Sequence, residues 1–85
     1  MPIDEPALDA AVRDYLEREL RIAATDVGPD TRLVTSGLID SVALVRLATI
    51  LEERFRIAVP DRDIVVGNFD TLRLIRAYVA RQAAR

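Results

Sequence analysis

The spacing of apolar residues restricts this chain more than any other feature. Leu8, Val12, Tyr15, Leu16 and Leu20 recur at steps of three and four, which lines them along one face of a helix. Leu44, Leu47, Ala48, Leu51 and Phe55 repeat the pattern, as do Leu72, Ile75 and Val79 with Tyr78 beside them. No segment alternates apolar and polar residues for long enough to make a half-buried strand. The chain is therefore expected to be all-α.

Local signals set the boundaries. Asp4 can cap the first helix and Pro6 is tolerated in its first turn, so that helix is expected over Glu5 to about Ile22. Asp9–Arg13, Asp14–Arg18 and Glu17–Arg21 are acid-before-base pairs four apart, each adding roughly 0.2–0.5 kcal/mol. Ala23 to Asp40 reads as a long connection with turn chemistry at Gly28-Pro29-Asp30 and Ser36-Gly37. Loops of this length in small chains are often functional, and Leu33, Leu38 and Ile39 are expected to pin this one to the core. The second helix should run from Ser41 or Val42 to about Phe55. Pro60 disfavours helix at Val59, so Ile57 to Pro60 should be extended. Asp61 to Ile64 can make a short helical turn, Gly67-Asn68 should break the chain, and the last helix should begin near Asp70 or Thr71. The expected fold is an antiparallel four-helix bundle, three helices long and one short, with a long loop between the first two. Its core is expected from Leu8, Val12, Leu16, Leu33, Leu47, Leu51, Phe55, Val59, Leu72, Ile75 and Val79.

Composition narrows the function. A length of 85 residues argues for one domain over 1–85, near the lower limit of what one core can stabilise. There is no cysteine to staple it, so the 51% hydrophobic content must supply the stability. The net charge is −2 and the 12 basic residues, all arginine, are scattered. No basic stripe exists for nucleic acid. No apolar run is long enough to span a membrane, and Met1-Pro2-Ile3-Asp4-Glu5-Pro6 lacks the basic start and apolar stretch of a signal peptide. A cytoplasmic monomer is the default expectation. Histidine is absent too. Without histidine or cysteine the usual nucleophiles, bases and metal ligands are missing, so a non-catalytic, metal-free chain is expected. A serine hydrolase would need a base, and Gly37-Leu38-Ile39-Asp40-Ser41 is not a nucleophile elbow.

Chemistry concentrates at Ser36-Gly37-Leu38-Ile39-Asp40-Ser41-Val42. With Asp40 as N-cap its carboxylate accepts the Ala43 amide, and Ser41, first in the helix, keeps a free hydroxyl. Helix N-termini favour anions through their amides and dipole. Asp40 would repel a phosphate about 7 Å away by roughly 0.6 kcal/mol in water, against about 0.3–1 kcal/mol from the dipole. A phosphodiester on Ser41 is acceptable but not forced, and on these terms alone a plain helix cap is the favoured reading of Ser41, since serine is a preferred cap residue. Glu52 and Glu53 are adjacent acids that point apart and should face solvent.

From about Leu33 to Val79 the chain resembles the acyl and peptidyl carrier proteins. In that family an Asp-Ser-Leu motif opens the second helix, and its serine receives 4′-phosphopantetheine from coenzyme A. Here the motif reads Asp40-Ser41-Val42, with Gly37 three residues before Asp40. Leu51-Glu52-Glu53-Arg54-Phe55, Ile57-Ala58-Val59-Pro60-Asp61, Phe69-Asp70-Thr71-Leu72 and Tyr78-Val79 follow in register. The resemblance implies that Ser41 bears 4′-phosphopantetheine and that Asp40 helps a phosphopantetheinyl transferase engage. It implies that Val42, Val45, Arg46 and Thr49 face partner enzymes, and that the chain carries an acyl group as a thioester for fatty-acid, polyketide or other specialised biosynthesis. Loading enzymes would be acyl or aminoacyl ligases, synthases or transferases. Val42 replaces the usual leucine, and Ala43 and Arg46 stand where housekeeping fatty-acid carriers are acidic, which suggests a specialised carrier. An aminoacyl or peptidyl carrier loaded by an adenylating ligase is the alternative within the family. An unmodified helical interaction domain is the alternative outside it.

Overall fold

The computed structural model describes residues 3–85. Its helices are α1 (Glu5–Leu20), α2 (Ser41–Phe55), α3 (Val66–Phe69) and α4 (Leu72–Ala83), with 3-10 turns at Ala24–Asp26 and Asp61–Asp63. Three long helices and a short one make the expected all-α bundle, with no strand among the described residues. No helix there is long and apolar enough to cross a membrane. The signal-peptide reading rests partly on Met1 and Pro2, which lie outside the described residues.

Side-chain caps start all three long helices. Asp4 accepts from Ala7 N (3.1 Å), Asp40 from Ala43 N (2.8 Å) and Thr71 Oγ1 from Leu74 N (3.1 Å). Each satisfies an amide that the helix itself leaves without a partner. At the far ends of α1 and α2, Arg21 (φ 60°) and Arg56 (φ 53°) turn the chain in the left-handed conformation. Glycine normally takes that place. α1 therefore stops at Leu20, two residues short of the expected end.

The apolar stripes meet in one cluster. Leu8, Val12 and Leu16 of α1, Leu47 and Leu51 of α2, and Leu72, Ile75 and Val79 of α4 are fully buried, together with Leu33 of the long loop. α1 runs against α2 and α4: its N-terminus shares one end of the bundle with their C-termini. Arg76 of α4 forks onto Asp9 of α1, with Nε 2.9 Å from Oδ1.

Several expectations are corrected. Gly67-Asn68 does not break the chain but lies inside α3. Four residues need little helix propensity when the last of them, Phe69, is fully buried and Asn68 Nδ2 donates to Asp63 O at 2.9 Å. The helical turn expected at Asp61 to Ile64 does form, as a 3-10 turn over Asp61–Asp63, and α3 is a further short helix beyond it. Phe55 is only half-buried at the rim, while Phe69 is the largest fully buried side chain and packs on Tyr78 with ring centroids 5.1 Å apart. Of the expected α1 pairs, only Asp14–Arg18 forms, at 2.7 Å. Arg13 instead donates to Val27 O and Glu17 accepts from Ala24 N. Tertiary partners outcompete exposed pairs of small net value. Glu52 is not merely solvent-facing, because its Oε2 accepts from Val59 N at 2.8 Å and secures the extended segment after α2.

The long loop follows the core closely. Leu33 and Ile39 are buried as expected, whereas Leu38 is 43% exposed. The Gly37 turn (φ +83°) rotates Leu38 outward, a backbone angle that side chains rarely tolerate. Leu33 N donates to Asp70 O (2.6 Å), Arg73 N to Pro29 O (3.1 Å) and Ile39 N to Leu33 O (2.9 Å).

Candidate functional site

Ser41 sits where the loop becomes α2, and the approach to it is fixed residue by residue. Buried Ile39 anchors the backbone two positions before it. Asp40 takes an extended conformation and turns its carboxylate onto Ala43 N. Ser41 is thus the first residue of α2 and is exposed, with its hydroxyl outside the capping hydrogen bond.

The chain has only two serines, and the structure gives them opposite situations. Ser36 Oγ donates to Arg32 O and accepts from Leu38 N at 3.4 Å, which commits it to the turn. Ser41 sits at the positive end of a 15-residue helix, where amides and dipole favour an anion. A phosphodiester fits there without displacing core packing or a cap.

Two buried polar groups hold this mouth in place. Tyr15 of α1 donates its hydroxyl to Ala43 O in the first turn of α2 (3.1 Å). Burial, then the nearby Glu19 carboxylate, raises its pKa above 10.0, so the phenol keeps its proton. Asp70, 8% exposed, is the buried charge among the described residues. Its Oδ1 accepts from Val34 N (2.9 Å) and Thr35 N (3.0 Å), and its Oδ2 from Thr35 Oγ1 (2.8 Å). These bonds, led by that from the Thr35 amide, hold its pKa below 3.8 against the opposing effect of burial. Asp70 thereby fastens the loop leading to Ser41 onto the start of α4.

The remaining expected site residues share one face of α2. Val42 is 76% exposed and Val45 50% exposed. Thr49 is half-buried and returns its hydroxyl to Val45 O at 3.1 Å. Arg46 is exposed, 3.6 Å from Glu19 of α1. Leu38 adds exposed apolar surface just before the serine, a feature sequence reasoning misplaced into the core. In the sequence Asp70 marks only the start of the last helix; an acid beside Thr71 after an aromatic does not reveal a partner 36 residues away.

A family profile described as a phosphopantetheine attachment site matches residues 10–79. The lincomycin biosynthesis protein LmbN of Streptomyces lincolnensis is 44% identical over 57 residues, 67% of this chain and 20% of that protein. The meromycolate extension acyl carrier protein of Mycobacterium tuberculosis is 25% identical over 64 residues, 75% of this chain and 56% of that protein. The protein of that description from Mycobacterium bovis gives the same figures. The chain thus spans a fifth of one of these relatives and just over half of the others. Because the match takes in the apolar stripes of α1, α2 and α4 as well as the capped serine between them, the chain belongs to the phosphopantetheine-attachment family, the carrier proteins that hold covalent 4′-phosphopantetheine.

Proposed function

We propose that Ser41 is the attachment residue and that the chain carries an acyl group between partner enzymes of a dedicated biosynthetic pathway. The observation that carries this reading is the contrast between the two serines: Ser36 is bound into its turn, while Ser41 is exposed at a helix N-terminus. In attachment Ser41 Oγ loses its proton and attacks the pantetheine-side phosphorus of the coenzyme A pyrophosphate, so that the phosphodiester to the arm forms as adenosine 3′,5′-bisphosphate leaves. When bound, the arm supplies a thiol that holds cargo as a thioester.

The protein's own part is positional, and the chain itself is a carrier rather than a catalyst. Asp40 fixes the first turn of α2, the α2 amides meet the phosphodiester charge, and the Tyr15 and Asp70 hydrogen bonds keep the mouth from fraying. Val42, Val45, Arg46 and Thr49 give the transferase and the loading and accepting enzymes a surface beside the arm. The single arginine there, with no acid between Ser41 and Leu51, favours partners other than those that steer by a strongly basic surface. Similarity to a lincomycin biosynthesis protein supports a specialised pathway.

Tandem mass spectrometry of chain treated with coenzyme A, magnesium and a broad-specificity phosphopantetheinyl transferase locates the arm. The expected fragment carries it on Ser41; an arm on Ser36 or a threonine would overturn the assignment. Offering the product to fatty-acyl and aminoacyl ligases then separates the acyl reading from the aminoacyl one.

A further inference from the structure

We propose that the end of the bundle opposite Ser41 is a second docking surface, which takes an acidic peptide segment of a partner protein. At that end the N-terminus of α1 and the C-termini of α2 and α4 enclose an open cleft of ≈ 450 Å³. Arg54, Arg56 and Arg85 line it, with Ile3 and Phe55 giving a half-buried apolar floor. All three arginines are exposed, and none is ion-paired among the described residues. Among the described residues the one acidic side chain lining the cleft, that of Asp4, already accepts from Ala7 N as the α1 cap.

Arginines near helix C-termini complement the dipole, which accounts for Arg54 without any ligand. Arg56 is different. It holds the left-handed position after α2 at φ 53°, where glycine would cost less, and it lines the cleft. Charge complementarity selects an acidic segment, and the floor of Phe55 and Ile3 selects one bearing an apolar side chain. α2 separates this end from Ser41 by about 20 Å. A partner held here would leave the arm free while raising its effective concentration at that partner's active site. The docking stands independently of which residue bears the arm, while its effect on the arm rests on Ser41 as the attachment residue.

The test uses the full chain and a short fluorescein-labelled peptide of aspartate and glutamate around a central leucine and phenylalanine, followed by anisotropy. Wild type is expected to bind it, with affinity falling as salt rises from about 50 to about 300 mM. Arg54→Glu/Arg56→Glu should bind about tenfold more weakly, while Arg62→Glu, outside the cleft, and Ser41→Ala should bind as wild type does. Arg56→Gly should melt higher yet bind more weakly, whereas Arg21→Gly should melt higher and bind unchanged. No binding to wild type, equal losses in Arg62→Glu, or unchanged binding by Arg56→Gly would each overturn the proposal. So would concentration-dependent dimerisation abolished by the double variant, which would make a second copy the occupant.

Discussion

Replacing Asp70 should loosen the loop that presents Ser41, and the size of the effect can be worked from its contacts. Asp70 accepts three hydrogen bonds from Val34 and Thr35. A hydrogen bond to a charged group contributes about 1.5–3 kcal/mol net, so simple addition would give about 4.5–9 kcal/mol. That is an upper bound, because Thr35 is exposed and Val34 half-buried, and water can reach their amides once the carboxylate is gone. We expect about 2–3 kcal/mol for Asp70→Ala. Asp70→Asn keeps a neutral acceptor for both amides and should cost about 1 kcal/mol. Against a total of about 5–15 kcal/mol, the alanine variant should melt roughly 8–24 °C lower. Urea unfolding followed by circular dichroism at neutral pH measures the cost, and amide exchange at Val34 and Thr35 shows where it arises. The pH dependence has a definite sign. Because the folded-state pKa lies below 3.8, the carboxylate stabilises fully above that value and loses its contribution as pH falls through the folded pKa. The gap between wild type and Asp70→Asn should therefore be open at neutral pH and close in acid. An alanine variant with wild-type midpoint and wild-type exchange at Val34 and Thr35 would refute the reasoning.

Other substitutions test other parts. Phe69→Ala should cost about 3–5 kcal/mol by opening a cavity beside Tyr78, measured by denaturant unfolding. Gly37→Ala should cost about 1 kcal/mol, since φ is +83° and the strain is in the backbone, with open space around the new methyl group; it should also slow modification of Ser41. Arg21→Gly should raise stability by about 1 kcal/mol by relieving the left-handed turn after α1. Ultraviolet titration should find both tyrosines less than half ionised at the ordinary pKa of 10.0. Burial and the hydrogen bond to Asp63 push Tyr78 to about 12, and Tyr15 is also raised. The neutral phenols are the stabilising form, so this contribution is full below the ordinary value of 10.0 and is lost as pH rises from there through the folded values.

The three long helices were legible because stripe and cap agree at each: Asp4 before Leu8, Asp40 before Leu44, Thr71 before Leu72. The exposed serine followed from one local fact, that Asp40 takes the cap and leaves Ser41 the first helical place. What stayed hidden depends on contacts distant in sequence. Asp9 reaches Arg76 across 67 positions instead of Arg13 four away, and Asp70 holds a loop 35 and 36 positions back. Gly67-Asn68 carries breaker chemistry, but burial of Phe69 and the Asn68–Asp63 hydrogen bond outweigh propensity over so few residues. Leu38 looked like a core residue by type. Only the hand of the Gly37 turn decides which side of the chain it faces.

The central claim is that Ser41 carries the arm. The most direct measurement is intact-protein mass after incubation with coenzyme A, magnesium and a broad-specificity phosphopantetheinyl transferase, for wild type and Ser41→Ala side by side. Wild type should gain one phosphopantetheinyl group while the folded variant gains none. A gain by Ser41→Ala, or no gain by folded wild type when a known carrier is modified in parallel, would contradict it.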